Sequence, residues 1–482
     1  MAEVNIKENK MGTMPVGKLL FEMSIPMVIS MLVQSIYNIV DSIFVARISE
    51  EALTAVSLAF PVQSIIIAFG VGIGVGSSAL LSRFLGEKSF EKVRSVALHG
   101  ILLCLLTYIG FALFGIFFTD TYANAQGQKA IVTAYTKDYL SIVTIFSVGL
   151  FFQILAEKLL QATSLTNFTM ITQISGAVIN LILDPIFIFG LFGFPRLEVK
   201  GAAIATVLGQ VGGALIGLYF NKTKNKEINF NSDKFKFHSD IMKQIFWIGL
   251  PSIVMSTMGS IIVFILNIIL KTFGQSAIAA YGVMFKFQSF AFLPVIGITN
   301  ALTTIVSYNY GARKKERIKE AIKLSMISSF GLVLVSIIIM WIFPRELLGF
   351  FNATDKMVEI GIPMMRIVSL SYFAAIPSVI AAGGVFQSLG NWQIAILQSF
   401  LRQFFILLPI FYFFTLSGNL ELSWWAFLIA ETLNSILCYF LLKREINNKI
   451  EILDWKNPIK CIWYQKNNNP KVIDSWVVLY LY

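Results

Sequence analysis

The chain has 482 residues, of which 56% are hydrophobic and 13% are charged, and its formal net charge is +11. Soluble domains carry roughly a quarter charged residues, whereas here long apolar stretches recur from end to end. This composition excludes a soluble globular protein and predicts an all-α membrane protein. Three cysteines are too few and too scattered for a disulfide framework or a cysteine-rich metal site.

Twelve membrane-spanning helices are predicted from the apolar stretches. Each stretch is long enough to cross about 30 Å of hydrocarbon as a helix, and a helix satisfies its own backbone hydrogen bonds there. Residues 1–17 are polar, so we expect no cleavable signal peptide before the first span. The predicted spans are 19–43, 53–81, 96–118, 135–155, 169–189, 202–220, 241–270, 278–306, 322–343, 357–386, 394–416 and 424–442.

The basic residues are distributed unevenly between the predicted loops. Most of the 38 Lys and Arg fall on one side of the membrane if the N-terminus is inside. Because Lys and Arg concentrate in cytoplasmic loops, we expect a multi-pass protein of the cytoplasmic (plasma) membrane with both termini inside. The positive charge therefore indicates how the chain is oriented in the membrane, and we expect membrane lipid to be the partner of the basic loops. It does not indicate binding to nucleic acid.

The two halves of the chain repeat each other at an offset of 225 positions. Pro26 then aligns with Pro251, and Gly86 aligns with Gly311. Six spans separate equivalent points, so both halves have the same orientation and are related by a pseudo-two-fold axis along the membrane normal. The predicted organisation is a cytoplasmic N-terminus (1–18), a six-helix N-terminal lobe (19–220), a cytoplasmic linker (221–240), a six-helix C-terminal lobe (241–442) and a cytoplasmic tail (443–482).

An acid and an amide lie in the fifth predicted span, four residues apart. On a helix, Asn180 and Asp184 share one face and are one turn apart. Pro185 follows directly and frees the carbonyl of Leu181, because proline has no N–H to donate. A carboxyl group in hydrocarbon is costly, which makes Asp184 a candidate functional residue.

Polar groups on two further spans fall at a similar depth. Asp41 is near the outer end of span 1, and Thr206 is one turn into span 6. The second half of the chain offers an internal comparison, because its equivalent positions are apolar. The residues that replace Asp41, Asn180, Asp184 and Thr206 there are Leu266, Phe404, Leu408 and Ala430. The shared architecture therefore does not require the polar groups.

Two carboxyl groups in this setting suit the uptake of positive charge. Burial and mutual repulsion favour the protonated form of such a pair. Alternatively, the oxygens of Asp41, Asn180, Asp184 and Thr206 form a cage that suits Na⁺. Each elementary charge that moves inward gains about 2.3 kcal/mol per 100 mV, so either ion would drive antiport. The alternative is that the two acids are buried, hydrogen-bonded groups with a purely structural role in helix packing.

A substrate cavity and a hinge are also predicted. Pro26 lies a turn into span 1 and removes a helical hydrogen bond there, which would allow the span to bend. Methionines with polar neighbours give a soft, adaptable lining that suits varied ligands. The residues assigned to the cavity are Met27, Met31, Gln34, Tyr37, Asn38, Gln173 and Lys286.

Several motifs together resemble the multidrug and toxic compound extrusion (MATE) family, in its bacterial branch with the ion site in the N-terminal lobe. They are Pro26, residues 37–44, 72–86, 180–185, 201–206 and 309–312. The resemblance implies two six-helix lobes with a substrate cavity between them, and export of organic, mostly cationic compounds in exchange for H⁺ or Na⁺. It also implies an ion site at Asp41, Asn180, Asp184 and Thr206. Some relatives use acids in spans 7 and 10 instead, whereas here span 7 has none and span 10 offers Arg366.

The sequence therefore predicts multidrug efflux by antiport. We expect no enzymatic activity and no cofactor beyond the coupling ion, H⁺ or Na⁺, and we expect a monomer that exports small-molecule drugs. One alternative is a flippase for a lipid-linked saccharide, which the intramembrane cations Lys286, Arg366 and Arg402 keep open. A second alternative is a membrane-embedded transferase, although its acids would be expected at the cytoplasmic face.

Overall fold

A computed structural model describes residues 8–228, 230, 236–351 and 353–454. These residues form helices and no strands. The helices are α1 Lys10–Thr13, α2 Val16–Ala46, α3 Glu50–Gly86, α4 Phe90–Phe117, α5 Thr119–Ala125, α6 Ala130–Ile145, α7 Val148–Ala162, α8 Thr166–Phe189, α9 Val199–Thr223, α10 Ser239–Leu270, α11 Gln275–Gly311, α12 Lys315–Ile342, α13 Pro344–Gly349, α14 Asp355–Val379, α15 Trp392–Phe400, α16 Leu408–Thr415 and α17 Leu420–Glu445. Most of the predicted tail, residues 455–482, lies outside the described residues.

Eleven helices in the described part of the chain are long and apolar enough to cross a membrane, and a bent pair makes a twelfth. The predicted fold class is therefore confirmed. The fourth span differs from the prediction of one helix over 135–155. It consists of α6 and α7, which meet at an angle of 47°, because the backbone leaves helical geometry at Phe146. The span then continues to Ala162.

The helix ends follow from local chemistry. Ser49 caps α3 by accepting a hydrogen bond from the Ala52 N–H at 3.0 Å. Gly190 ends α8 in the left-handed conformation (φ 75°), which glycine adopts without steric cost. Asn419 accepts hydrogen bonds from the first N–H groups of α17. These caps fix where the spans begin and end.

Close packing in the N-terminal lobe brings α8 against α9 and α2. At Gly176 and Gly209 the two backbones approach so closely that a Cβ on Gly209 would lie 2.8 Å from the Gly176 carbonyl oxygen. This crossing is one turn from Asn180, so it holds the polar face of α8 against α9.

The two lobes meet through α2 and α3 of the first and α10 and α11 of the second. We call the end of the bundle that carries α1 and the linker between α9 and α10 the linker end. Close contacts lie in the linker-end halves of these helices, where a Cβ on Gly249 would lie 2.0 Å from the Gly72 carbonyl oxygen. Gly76, Gly297 and Gly311 make similarly close contacts with the other lobe in the same halves of these helices. The lobes are therefore packed most tightly at the linker end.

Candidate ion and substrate sites

Asp184 lies where α8 packs against α9 and α2, and its side chain is 0% exposed. Asn180, one turn earlier, donates a hydrogen bond from Nδ2 to Asp184 Oδ1 at 3.4 Å. The amide and the carboxyl thus share one face of α8, as their spacing indicates. Pro185 continues the helix directly behind them.

Asp41 on α2 lies beside Asp184, and the two carboxyl groups are close enough to share one proton in a hydrogen bond. Thr206 on α9 is also buried, and it contacts the hydroxyl group of Tyr139. The structure therefore brings together groups that are distant in sequence, on α2, α6, α8 and α9.

Three oxygen atoms of this cluster are buried without a hydrogen-bond partner among the described residues: Asp41 Oδ1, Asn180 Oδ1 and Asp184 Oδ2. All three are acceptors, and buried polar atoms without a partner are costly. A proton on a carboxyl, a bound cation or a donating water would satisfy them. The cluster is therefore arranged to take up positive charge.

Tyr139 was not singled out by the sequence analysis. It is 2% exposed, and its hydroxyl contacts the side chains of Gln63 and Thr206. One sequence signal was present, since a tyrosine inside an apolar span needs a partner for its hydroxyl group. That signal does not identify the partner, because Gln63 and Thr206 lie on other helices.

A cavity of about 450 Å³ lies between the lobes. Four of the residues predicted for the substrate cavity, Met27, Met31, Gln34 and Gln173, line it. A smaller cavity of about 50 Å³ extends into the first lobe and is lined by Asn180, Thr206 and Tyr37 among others. The two cavities share the lining residues Gln34, Ile67, Ile154 and Gln173. The space between the lobes thus borders on the polar cluster.

Two other residues predicted for the cavity lie elsewhere. Asn38 is exposed on α2 and lines neither cavity. Lys286 is exposed on α11, and its ammonium group lies 5.1 Å from the centre of the Phe351 ring. The helical stripe on span 1 suggested that Asn38 would face inward. On a 31-residue helix, however, only part of such a stripe meets a neighbouring helix.

Two charged residues in the cavity wall were missed because the fourth span was predicted to end at Leu155. The helix α7 continues past that residue, so Glu157 and Lys158 line the cavity between the lobes. Glu157 accepts a hydrogen bond from Gln153 at 3.0 Å. Lys158 donates to Asn300 of the second lobe at 3.3 Å. The cavity therefore carries charge of both signs.

The second lobe contributes a partly buried ion pair beside the same cavity. Arg402, which lines the cavity, lies 2.7 Å from Glu431 on α17. One turn away, Gln398 donates to Asn434 at 2.9 Å. These contacts join α15 and the π-helical turn Leu401–Leu407 to α17. Three polar atoms of this wall, Gln403 Oε1, Glu431 Oε2 and Asn434 Nδ2, are still buried without a hydrogen-bond partner among the described residues.

Pro26 is buried inside α2. Because it has no N–H, the carbonyl of Glu22 lacks its helical donor, and it accepts a hydrogen bond from the Thr166 hydroxyl at 3.4 Å instead. Pro26 therefore exchanges a hydrogen bond within α2 for one to Thr166, the first residue of the helix that carries Asp184.

The membrane spans, the charge-accepting cluster and the cavity between two lobes define a multi-pass membrane transporter. A model of the family described as MatE matches residues 26–186 and 251–413, more than half of the chain and one range in each lobe. The chain therefore belongs to the MatE family, as its motifs indicated.

Relatives and solved structures are similar over nearly the whole chain. Multidrug export protein MepA of Staphylococcus haemolyticus (strain JCSC1435) is 28% identical over 426 residues, which cover 88% of this chain and 92% of that protein. MepA of Staphylococcus aureus (strain MSSA476) is 28% identical over 421 residues, 87% of this chain and 92% of that protein.

Two solved structures share the fold. A crystal structure of MATE in the straight conformation has a TM-score of 0.86 and 25% identity, and the match covers 92% of this chain and 98% of that one. A MOP superfamily transporter from Pyrococcus furiosus, described as having a binding pocket of reverse polarity, has a TM-score of 0.86 and 24% identity. That match covers 93% of this chain and 98% of the other.

Proposed function

We propose that this protein is a multidrug exporter that expels organic, mostly cationic compounds in exchange for H⁺ or Na⁺. The MepA relatives are named as multidrug export proteins, and the cavity between the lobes is large enough for a drug-sized ligand. The exchange needs no cofactor beyond the coupling ion. It requires one site for the ion, one for the compound and a structural link between them.

The proposal rests on three buried acceptor oxygens, one each in Asp41, Asn180 and Asp184, that have no hydrogen-bond partner among the described residues. In a low-dielectric environment, positive charge that binds to these oxygens lowers the free energy of the site. A proton would be held by the two carboxyl groups, whereas Na⁺ would be held by their oxygens with those of Asn180 and Thr206. Release of either ion on the other side of the membrane would complete the exchange.

The link between ion and compound is the boundary that the two cavities share. Gln34 and Gln173 line both cavities, and Gln34 is on α2 with Asp41, whereas Gln173 is on α8 with Asp184. Ion uptake that draws α2 toward α8 would change the shape of both cavities. Pro26 would be the hinge, because α2 lacks one internal hydrogen bond there.

The cavity chemistry supports cationic compounds as substrates. Glu157 offers a carboxylate to a cation, and Met27, Met31 and Met255 offer a soft apolar lining that adapts to different shapes. We propose that the protein works as a monomer in the plasma membrane, with the linker end in the cytoplasm. The lobes in this structure would then be closed toward the cytoplasm.

Ethidium efflux from proteoliposomes under an imposed pH or Na⁺ gradient tests the proposal. The parent protein is compared with Asp184→Asn and with the control Asp138→Asn, which changes an acid on α6 whose partner is Lys200 at 3.4 Å. We expect gradient-driven efflux to be lost in Asp184→Asn alone, with ethidium binding retained. The effective gradient identifies the ion. Normal efflux by Asp184→Asn would rule out this ion site.

A second candidate is a flippase for a lipid-linked saccharide. Lys158 and Arg402 both line the cavity and would suit a pyrophosphate group. The same proteoliposomes distinguish the two functions. Failure of the parent protein to move ethidium under either gradient, together with translocation of a fluorescent lipid-linked saccharide, would favour the flippase.

A further inference from the structure

The N-terminal segment, residues 8–14, lies between the two lobes at the linker end. It contains the one-turn helix α1, and Met11 within it is 0% exposed. The polar composition of residues 1–17 predicts only a cytoplasmic extension. In the structure, polar contacts fix it to both lobes.

Asn9 attaches the segment to the first lobe and the start of the linker. Its Nδ2 donates to the Thr163 carbonyl at 3.2 Å and to both carboxylate oxygens of Glu227 at 2.8 Å. Its Oδ1 accepts from Ser164 at 3.4 Å. Lys10 adds an ion pair with Glu22 on α2, at 2.5 Å.

The carbonyl groups at the other end of the segment are held by the second lobe. Arg317 Nη2 donates to the carbonyls of Met11 and Met14, at 2.9 and 2.6 Å. Asn309 also donates to the Met11 carbonyl, at 3.1 Å. Cations at the C-terminal carbonyls of a helix are favoured by its dipole. These bonds join the segment to both α11 and α12.

Lys314 completes the attachment to the second lobe. Its ammonium group donates to the Gly12 carbonyl at 2.9 Å and pairs with Glu8 at 2.5 Å. This pairing lowers the pKa of the Glu8 carboxyl, so the pair is charged at neutral pH. The space around Gly12 is filled, since a Cβ there would lie 2.7 Å from Glu8 Oε1 and 3.0 Å from the Tyr308 ring.

We infer that residues 8–14 form a latch that holds the two lobes together at the linker end and must release before they part there. The inference rests on the proposed function in one respect, namely that the lobes part at this end during transport. The physical reason is geometric. Asn9 is anchored to Thr163 and Glu227, whereas Met11 and Met14 are anchored to Arg317. Separation of the lobes therefore breaks one set of contacts.

Distance measurements between spin labels test the latch without relying on transport. Glu91→Cys and Glu316→Cys place labels on exposed first-turn residues of α4 and α12, in opposite lobes. Cys104 and Cys438 are buried, and Cys461→Ser removes the remaining thiol. Pulsed electron paramagnetic resonance in nanodiscs then reports the distance between the lobes at the linker end.

The informative variants are Asn9→Ala, which removes the contacts with Thr163 and Glu227, and Arg317→Ala, which removes the contacts of α12 with the carbonyls of Met11 and Met14. The control is Lys319→Ala, which removes a cation of α12 that pairs with Glu451 rather than with the latch. We expect the parent protein and the control to show mainly the short distance. In either latch variant, the ratio of short to long distances should fall by about tenfold, as expected for the loss of charged hydrogen bonds.

Each outcome decides the question. Unchanged distances in both latch variants would overturn the inference, and so would an equal shift in Lys319→Ala or a parent protein without a dominant short distance. A shift in Asn9→Ala alone would also overturn it, because the segment stays joined to α2 through Pro15 and the contacts of Arg317 are among those that cross to the second lobe. If Arg317→Ala does not fold, Lys314→Ala decides, because it removes the ion pair with Glu8 and the hydrogen bond to the Gly12 carbonyl. Ethidium efflux by the parent protein separately tests the proposed function.

Discussion

Gly86 and Gly311 make the same contact in opposite directions across the interface between the lobes. A Cβ on Gly86 would lie 2.0 Å from the Tyr308 carbonyl oxygen, and a Cβ on Gly311 would lie 2.0 Å from the Arg83 carbonyl oxygen. Both pairs are related by the 225-residue offset of the internal repeat. The pseudo-two-fold axis therefore passes through this contact, and helices α3 and α11 touch backbone to backbone.

Alanine at either glycine is expected to open the linker end. Its methyl group cannot fit beside a backbone carbonyl, and overpacking of this kind costs about 1–3 kcal/mol. Gly86→Ala and Gly311→Ala should thus lower the fraction of the short distance between labels at residues 91 and 316. Gly331→Ala is the control, because a Cβ there meets no atom within 4 Å. Identical distances in all variants would show that the contact does not limit opening.

Asp41 and Asp184 are expected to act as one unit. Because the two carboxyl groups interact, either Asp41→Asn or Asp184→Asn should remove most of the gradient-driven ethidium efflux, and the double variant should lose no more. The corresponding interaction free energy is about 1–3 kcal/mol. Efflux rates of the four proteins at equal reconstituted amounts provide the measurement. If the fold-loss of efflux rate in the double variant equals the product of the losses in the two single variants, the two acids act as independent sites.

Tyr139→Phe is expected to slow gradient-driven efflux by about five- to tenfold, since it removes a hydroxyl group that contacts Gln63 and Thr206. Ethidium affinity should not change, because Tyr139 does not line the cavity between the lobes. The matched control is Tyr122→Phe, whose hydroxyl donates to the Leu58 carbonyl at 2.8 Å. Equal slowing in both variants would indicate a general loss of stability.

Glu157→Gln is expected to weaken the binding of cationic compounds by about tenfold, the cost of losing one charged hydrogen bond. Glutamine preserves the size of the side chain and its ability to accept from Gln153. Fluorescence titration with ethidium and with a neutral compound provides the comparison, and Glu320→Gln on an exposed surface is the control. An equal loss for the neutral compound would mean that Glu157 acts on cavity shape.

Pro26→Ala is expected to slow transport by restoring the N–H that the Glu22 carbonyl lacks. The restored bond competes with the Thr166 hydroxyl, so α2 should straighten and separate from the start of α8. Stopped-flow efflux under the coupling gradient measures the effect. The control is Pro61→Ala, an exposed proline within α3. Unchanged efflux in Pro26→Ala would exclude a hinge at this position.

The fold class could be predicted from the sequence because apolar length dictates what crosses a membrane. The 225-residue offset of the repeat could also be predicted from the sequence, and the reciprocal contacts of Gly86 and Gly311 join positions related by that offset. The end of the fourth span could not be predicted in the same way. Glu157 and Lys158 look like the start of a cytoplasmic loop, and only packing around a polar cavity makes their place in α7 favourable.

The sequence by itself determined the membrane class, the duplication and the shared helix face of Asn180 and Asp184, since all three depend on local spacing and composition. Tertiary structure decided which helices meet. It brought Asp41 beside Asp184, which their similar depth in the sequence had only suggested, left Asn38 exposed and placed Asn9 and Arg317 on either side of one short segment. Contacts between distant residues depend on how whole helices pack, and the spacing within one helix does not encode them.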